Sequence, residues 1–221
     1  DENYLVIVPE QFTMQTQKDL CLAHPKGGIM NIDVLSFGRL AYRVFEEVGQ
    51  DARVVLDDEG KNLVLRKIAG ECEKDLKVFK GNLKKQGYIS EVKSVLSEFA
   101  QYGVDFERLD DFMKEVPPES YLHYKLDDIR TIYEKFEEYL SEKYITKEEM
   151  LDVLSDAVPY SDILKGSVVA MDGFTGFTPV QNRLIGELFS VCEKVMITVT
   201  MDGRENPYVY EHPYQIFALG K

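Results

Sequence analysis

Apolar residues along this chain fall into two kinds of pattern, and the change between them divides it. Residues 4–8 run Tyr-Leu-Val-Ile-Val without interruption and stop at Pro9, which predicts a buried strand. A helix is predicted over 15–23, with Met14, Leu20 and Leu22 apolar and Thr13 in position to cap it. Gly27-Gly28 break that helix, and residues 32–35 form a second short strand. Ser36 is placed to cap a helix over 37–48, which Gly49 closes. Strand–helix–strand–helix with no hairpin signal predicts a parallel sheet with helices on its faces.

From about residue 57 to residue 158 the pattern is helical, with no strand. Helices are expected over 58–73, 89–102, 106–116, 119–144 and 147–158, the last capped by Thr146. The longest carries Tyr121, Leu122, Ile129, Ile132, Tyr133, Phe136, Tyr139 and Leu140 at helical spacing. Such a stripe reads as core, with a base-stacking face as the alternative. The earlier pattern then resumes. Residues 168–171 are a buried strand ending at Asp172, and Pro179 opens a helix over 180–191 with Leu184, Ile185, Leu188 and Phe189 on one face. A strand over 195–200 follows. The expected fold is α/β. A parallel sheet is built from 1–52 and 165–221, with Val8 and Asp172 at one edge, and an all-helical insertion spans 55–160.

Composition adds limits. At 221 residues with 44% hydrophobic and 29% charged side chains, the chain is of ordinary globular make-up. No apolar run approaches the roughly 20 residues of a membrane span, and no signal-peptide pattern opens it. A net charge of −13 argues against a freestanding nucleic-acid binder. Between Lys61 and Lys93, however, nine basic residues stand against four acidic ones. That is either the footprint of a DNA-backbone contact, carried by Lys77, Lys80 and Lys84, or a solvated helix face. Cys21, Cys72 and Cys192 are far apart and read as buried thiols of a reducing compartment. His24, His123 and His212 are scattered, and no phosphate-loop, zinc-protease or nucleophile-elbow motif occurs. The chain opens on Asp1 rather than Met, and it is expected to be a piece of a longer protein.

The stretch Met171-Asp172-Gly173-Phe174-Thr175-Gly176-Phe177-Thr178-Pro179-Val180-Gln181 resembles, without a gap, the V-D-E-F-Q-D-T-N-x-x-Q motif of superfamily-one helicases of the UvrD, PcrA and Rep type. The resemblance implies that Asp172 holds Mg²⁺ through its water shell and that Gln181 lies near the nucleotide. Gly173 stands where those helicases carry the Glu that activates the attacking water. Residues 36–43 resemble their T-F-H-x-L-A-x-R segment, which lies beside single-stranded DNA. This implies DNA proximity for Ser36, Phe37 and Arg43, with Gly38 in place of the histidine. Phe12-Thr13 resembles a short remnant of T-F-T-N-K and adds Thr13. Residues 195–203 resemble V-M-I-V-G-D-D-D-Q, with Gly203 where the γ-phosphate-sensing Gln belongs.

Together with Val8-Pro9-Glu10-Gln11-Phe12-Thr13, these segments are similar to the AddB subunits of bacterial AddAB helicase–nucleases, over essentially the whole chain. The resemblance implies a cytoplasmic bacterial parent that processes double-strand DNA ends with AddA as its motor. ATP and Mg²⁺ would bind in the parent, and an iron–sulfur cluster would lie outside these residues. The helicase-like domain would be an inactive scaffold, with no catalytic residue of its own, that reads the unwound strand for a recombination signal. Two alternatives stay open: a protein-interaction module, suited to the acidic balance, and an active nucleotidase completed by residues elsewhere. No role is assigned to residues 208–214.

Overall fold

The computed structural model describes residues 3–49, 54–82, 85–141 and 143–199. Gly203, Lys84 and residues 208–214 lie outside them. The α/β class expected from the sequence is what the structure shows. Four strands, β1 (Tyr4–Ile7), β2 (Ile32–Leu35), β5 (Val168–Met171) and β6 (Lys194–Ile197), form one sheet in the order β2-β1-β5-β6. Every pairing in it is parallel, with Ile7 opposite both Leu35 and Met171, and Met171 opposite Ile197. All four carboxyl ends therefore share one edge, where open α/β sheets place their ligands.

The chain divides into two compact units. The first holds the sheet and is built from residues up to Glu47, Val158–Phe177 and those from Gly186 onward. Within it, α1 (Thr13–Ala23) buries only Thr13. By contrast, α2 (Phe37–Val48) buries Phe37, Leu40, Ala41 and Val44, spaced as one face of a helix. Ser36 caps α2 as expected, its Oγ accepting the Arg39 N–H at 3.3 Å. Thr13 does not act as a cap. A 3₁₀ turn over Glu10–Phe12 leads directly into α1, and the Thr13 hydroxyl donates back to the Glu10 carbonyl at 3.0 Å.

The second unit comprises Val48–Ala157 and Thr178–Ile185. Its helices are α3 (Asp58–Glu71), α4 (Gln86–Tyr102), α5 (Phe106–Glu115), α6 (Tyr121–Leu140) and α7 (Lys147–Ala157). Their starts are written in the sequence. Asp57, Asp105 and Ser120 each accept a first-turn N–H, from Gly60, Arg108 and His123. Gly103 ends α4 with φ 63°, a left-handed turn that suits glycine. The tyrosine-bearing stripe is mainly core: Ile129, Ile132, Tyr133, Phe136 and Leu140 are buried, and Tyr133 packs on Phe106 with ring centroids 4.6 Å apart.

Two expectations for this unit need correction. It is not strand-free, because β3 (Val54–Leu56) and β4 (Tyr144–Thr146) pair in parallel. The long helix also stops at Leu140 rather than running to residue 144. Both follow from residues 144–146, whose backbone is taken by β3. Thr146 then ends that strand and opens α7 in a capping box, exchanging hydrogen bonds with Glu149 at 2.8 and 3.2 Å. The last helix, α8 (Pro179–Val191), starts at the proline and divides between the two units.

Candidate functional site

The carboxyl edge of the sheet is stitched together strand by strand. The Val8 N–H donates to Leu35 O at 2.9 Å, Asp172 N–H to Ile7 O at 3.0 Å, and Thr198 N–H to Met171 O at 2.9 Å. Asp172 is exposed at this edge, and its carboxylate accepts the Thr198 hydroxyl. That leaves carboxylate lone pairs facing solvent.

Gly173 has φ +78°, a left-handed backbone. A Cβ built there would meet Pro9 Cδ at 3.5 Å and Phe12 at 3.7 Å, which is ordinary contact. Space is therefore not the obstacle to a side chain; the backbone is, at about 1–2 kcal/mol for an L-residue. The position lacks a carboxylate and also the conformation that would carry one easily.

The residues expected near single-stranded DNA are engaged inside the fold. Ser36 is buried and donates its hydroxyl to the Glu10 carboxylate. Phe37 is 7% exposed, with its ring 5.3 Å from Phe174, whose ring lies 5.1 Å from Phe177. Phe37 is thus a packing residue of the loop after β5 and offers no free face for a base. Thr13 is buried, and Arg43 pairs with Asp33. What the same region does expose is Phe12 (46%) and Tyr42 (56%), with Arg39 beside Glu10 at 3.5 Å. Phe12 stands in the turn after Pro9, and Arg39 and Tyr42 are three apart on the polar side of α2.

Gln181 accepts the Thr178 N–H at 2.9 Å through its side-chain oxygen, and its own N–H reaches Thr178 Oγ1 at 3.4 Å. It closes a capping box on α8, a structural role that takes up its carbonyl.

The basic stripe is not one surface. Lys61 is 3% exposed, its Nζ donating to Glu148 at 2.7 Å and to Ser97 at 3.2 Å. Lys93 pairs with Asp58 at 3.8 Å, and Lys67 lies over the Tyr139 ring at 4.8 Å. Lys77 pairs with Asp127 at 3.0 Å and covers the Tyr124 ring. The hydrogen bond to Asp127 holds its ammonium above the usual lysine range. Lys80 is exposed.

Cys72 and Cys192 are buried, and burial pushes both thiols up. Among the described residues no group of three Cys, His, Asp or Glu side chains is placed to hold a metal. No helix among them is long and apolar enough to cross a membrane.

A family model described as ADDB, N-terminal, matches residues 1–221. An ATP-dependent helicase/deoxyribonuclease subunit of Lachnoclostridium phytofermentans is 48% identical over 217 residues, 98% of this chain. The proteins of the same name from Alkaliphilus metalliredigens and Thermoanaerobacter pseudethanolicus are 36% and 38% identical over 91% and 90% of it. The chain spans only 19%, 18% and 17% of these relatives' lengths. With a parallel sheet, an Asp-Gly strand end and a match along its whole length, the chain belongs to the AddB family, in that family's N-terminal part.

Proposed function

We propose that these residues are the N-terminal helicase-like part of a protein that, with an AddA partner, forms an ATP-dependent helicase/deoxyribonuclease acting on double-strand DNA ends in the bacterial cytoplasm. In this reading the sheet unit, residues 1–52 and 165–221, is a scaffold that no longer hydrolyses ATP and contacts the unwound strand for a recombination signal. The helical residues 55–160 are its insertion. The observation that carries the reading is Gly173: a glycine with φ +78° directly after the strand-end aspartate, with no carboxylate to activate water. Bound Mg²⁺–ATP would supply charge neutralisation at the phosphates. This chain's part is limited to Asp172, which would hold the cation through water, and Thr198, whose hydroxyl fixes the Asp172 carboxylate. Single-strand contact falls to the exposed Phe12, Arg39 and Tyr42 rather than to Phe37, with Lys80 and Lys84 in reserve for duplex backbone.

The test uses the full-length parent chain without its partner. ATP is expected to raise its melting temperature, with phosphate release far below that of a working helicase, and Gly173→Glu is expected not to restore release because the backbone there is left-handed. Rapid release abolished by Asp172→Ala would overturn the reading. Replacing Phe12 and Tyr42 together by Ala should weaken single-strand binding by about tenfold or more, since base stacking is worth about 1–3 kcal/mol per base.

A further inference from the structure

The junction between β4 and α7 is held by side chains that the function proposed above does not use. Thr146 ends the strand and opens the helix. Its backbone N–H donates to Glu149 Oε2 at 2.8 Å, and its hydroxyl donates to the same oxygen at 3.0 Å. The Glu149 N–H returns to Thr146 Oγ1 at 3.2 Å. One carboxylate oxygen therefore fixes the turn. The strand that this turn closes has three residues, and among the described residues it pairs with β3 alone. Next to it Glu148 accepts the buried Lys61 Nζ at 2.7 Å. The second half of α7 is pinned separately by Arg183 of α8, whose guanidinium donates to Asp152 at 2.7 Å and to Asp156.

Against this turn, from α6, stands a second carboxyl. Glu137 is half-buried and hydrogen-bonded to Glu149. It lines a cavity of about 10 Å³ together with Lys61, Lys93, Ser97, Thr146 and Glu148. Two carboxyl groups joined by a hydrogen bond hold one proton between them, because two carboxylates have no hydrogen to share and repel each other. The cations around the pair already have partners. From α3, Lys61 is taken by Glu148, with Asp58 4.0 Å away; from α4, Lys93 lies 3.8 Å from the same Asp58. On α6 itself Glu134 pairs with Arg130 at 3.4 Å, and the Tyr133 hydroxyl donates to Val104 O at 3.3 Å. From β4 and α7 come Thr146, Glu148 and Glu149. Burial, with the Glu149 charge added, pushes the Glu137 carboxyl well above the usual carboxylate range.

We propose that the Glu137–Glu149 pair is a proton-operated latch: with its proton in place it fastens the Thr146 turn to α6, and without it the two carboxylates push the turn away, opening β4 and the first turn of α7. Arg183 keeps the opening local, since it holds α7 at residues 152 and 156. The closed junction binds the shared proton more tightly than the open one does. Closure is therefore favoured at low pH and lost as pH rises through neutrality. The latch belongs to the helical unit and needs neither nucleotide nor DNA to work.

The test is hydrogen exchange of the full-length parent chain at about pH 6 and pH 8, corrected for the intrinsic exchange rate and read by peptide mass spectrometry. Protection of residues 144–149 is expected to fall by about tenfold between the two. Residues 77–79 are the internal control. Their N–H groups are held by the carboxylate of Asp128, which is 1% exposed, at 2.8, 2.7 and 2.8 Å, and their protection should not change. Glu137→Gln keeps a donor for Glu149 and carries no charge at either pH, so it should hold the turn as closed at the higher pH as at the lower. A wild-type turn equally protected at both pH values overturns the proposal, and so does a fall that persists undiminished in Glu137→Gln. Loss of protection at 77–79 together with 144–149 overturns it too, since the change would then be an unfolding of the whole unit rather than the opening of one junction.

Discussion

The two units bury their apolar side chains in different ways. The helical unit closes on itself, with Leu65, Ile68, Ile89, Ile129, Ile132 and Phe136, drawn from α3, α4 and α6, in one continuous core. The sheet unit is one-sided. Residues paired in register share a face of a sheet, and on one face Leu5, Ile7, Val169 and Met171 have no exposure. Across the other face Val34, Val6, Ala170 and Met196 form a row that is only partly covered, Met196 being 42% exposed. Parallel sheets are ordinarily covered on both faces. The helical unit is thus a finished core, whereas the sheet has apolar area left to bury, at about 25 cal/mol for each Å².

The largest expected effect lies in the finished unit. Asp128→Ala removes the buried carboxylate that accepts the Lys77, Val78 and Phe79 backbone N–H groups at once and should cost about 3–5 kcal/mol in urea unfolding, with the loss of protection centred on residues 77–79. A cost below about 1 kcal/mol would mean that water replaces the carboxylate and that this core is less closed than described.

The two faces of β1 supply the next test. Ile7→Ala, on the covered face, should cost about 2–4 kcal/mol, and Val6→Ala, on the partly open face, under about 1 kcal/mol. Equal costs would erase the distinction between the faces.

A pH dependence in the helical unit gives a further, more gradual effect. Burial, reinforced by the charge of Glu149 beside it, pushes the Glu137 carboxyl up to about 7, from 4.5. The folded chain therefore binds this proton more tightly than the unfolded one. Its contribution to stability is full below about pH 4.5, declines as pH rises from 4.5 to 7, and is gone above that. After allowance for solvent screening of a half-buried group, the decline should be about 2 kcal/mol. Glu137→Gln should flatten it, as read by unfolding midpoints at pH 5 and pH 8. A variant with an unchanged pH profile would remove Glu137 as its source.

Much of the fold was legible because its signals are local. The apolar runs at 4–8 and 168–171, the caps at Ser36 and Thr146, and Pro179 at a helix start all depend on few neighbours. The strands β3 and β4 were not legible, since three residues are too few to show an alternation. Lys61 could have been placed correctly. It lies three, four and seven residues before Val64, Leu65 and Ile68, on the buried face of α3, so helical period alone puts it inside. Phe37 was found as part of a motif, but whether its ring faces solvent or Phe174 depends on a loop 137 positions away, which no local pattern reports.

The hydrogen bonds to Asp128 join residues 49 to 51 positions apart. At synthesis rates of roughly 5–20 residues per second, the aspartate is made several seconds after the backbone it holds. During that interval the lysine-rich loop containing Lys74, Lys77 and Lys80 has no anchor and is open to trypsin-like cleavage. Nascent chains truncated before Asp128 should therefore be cut in this loop, and chains extended far enough past it for α6 to clear the ribosome should resist, so that one carboxylate times when the helical unit becomes protease-resistant.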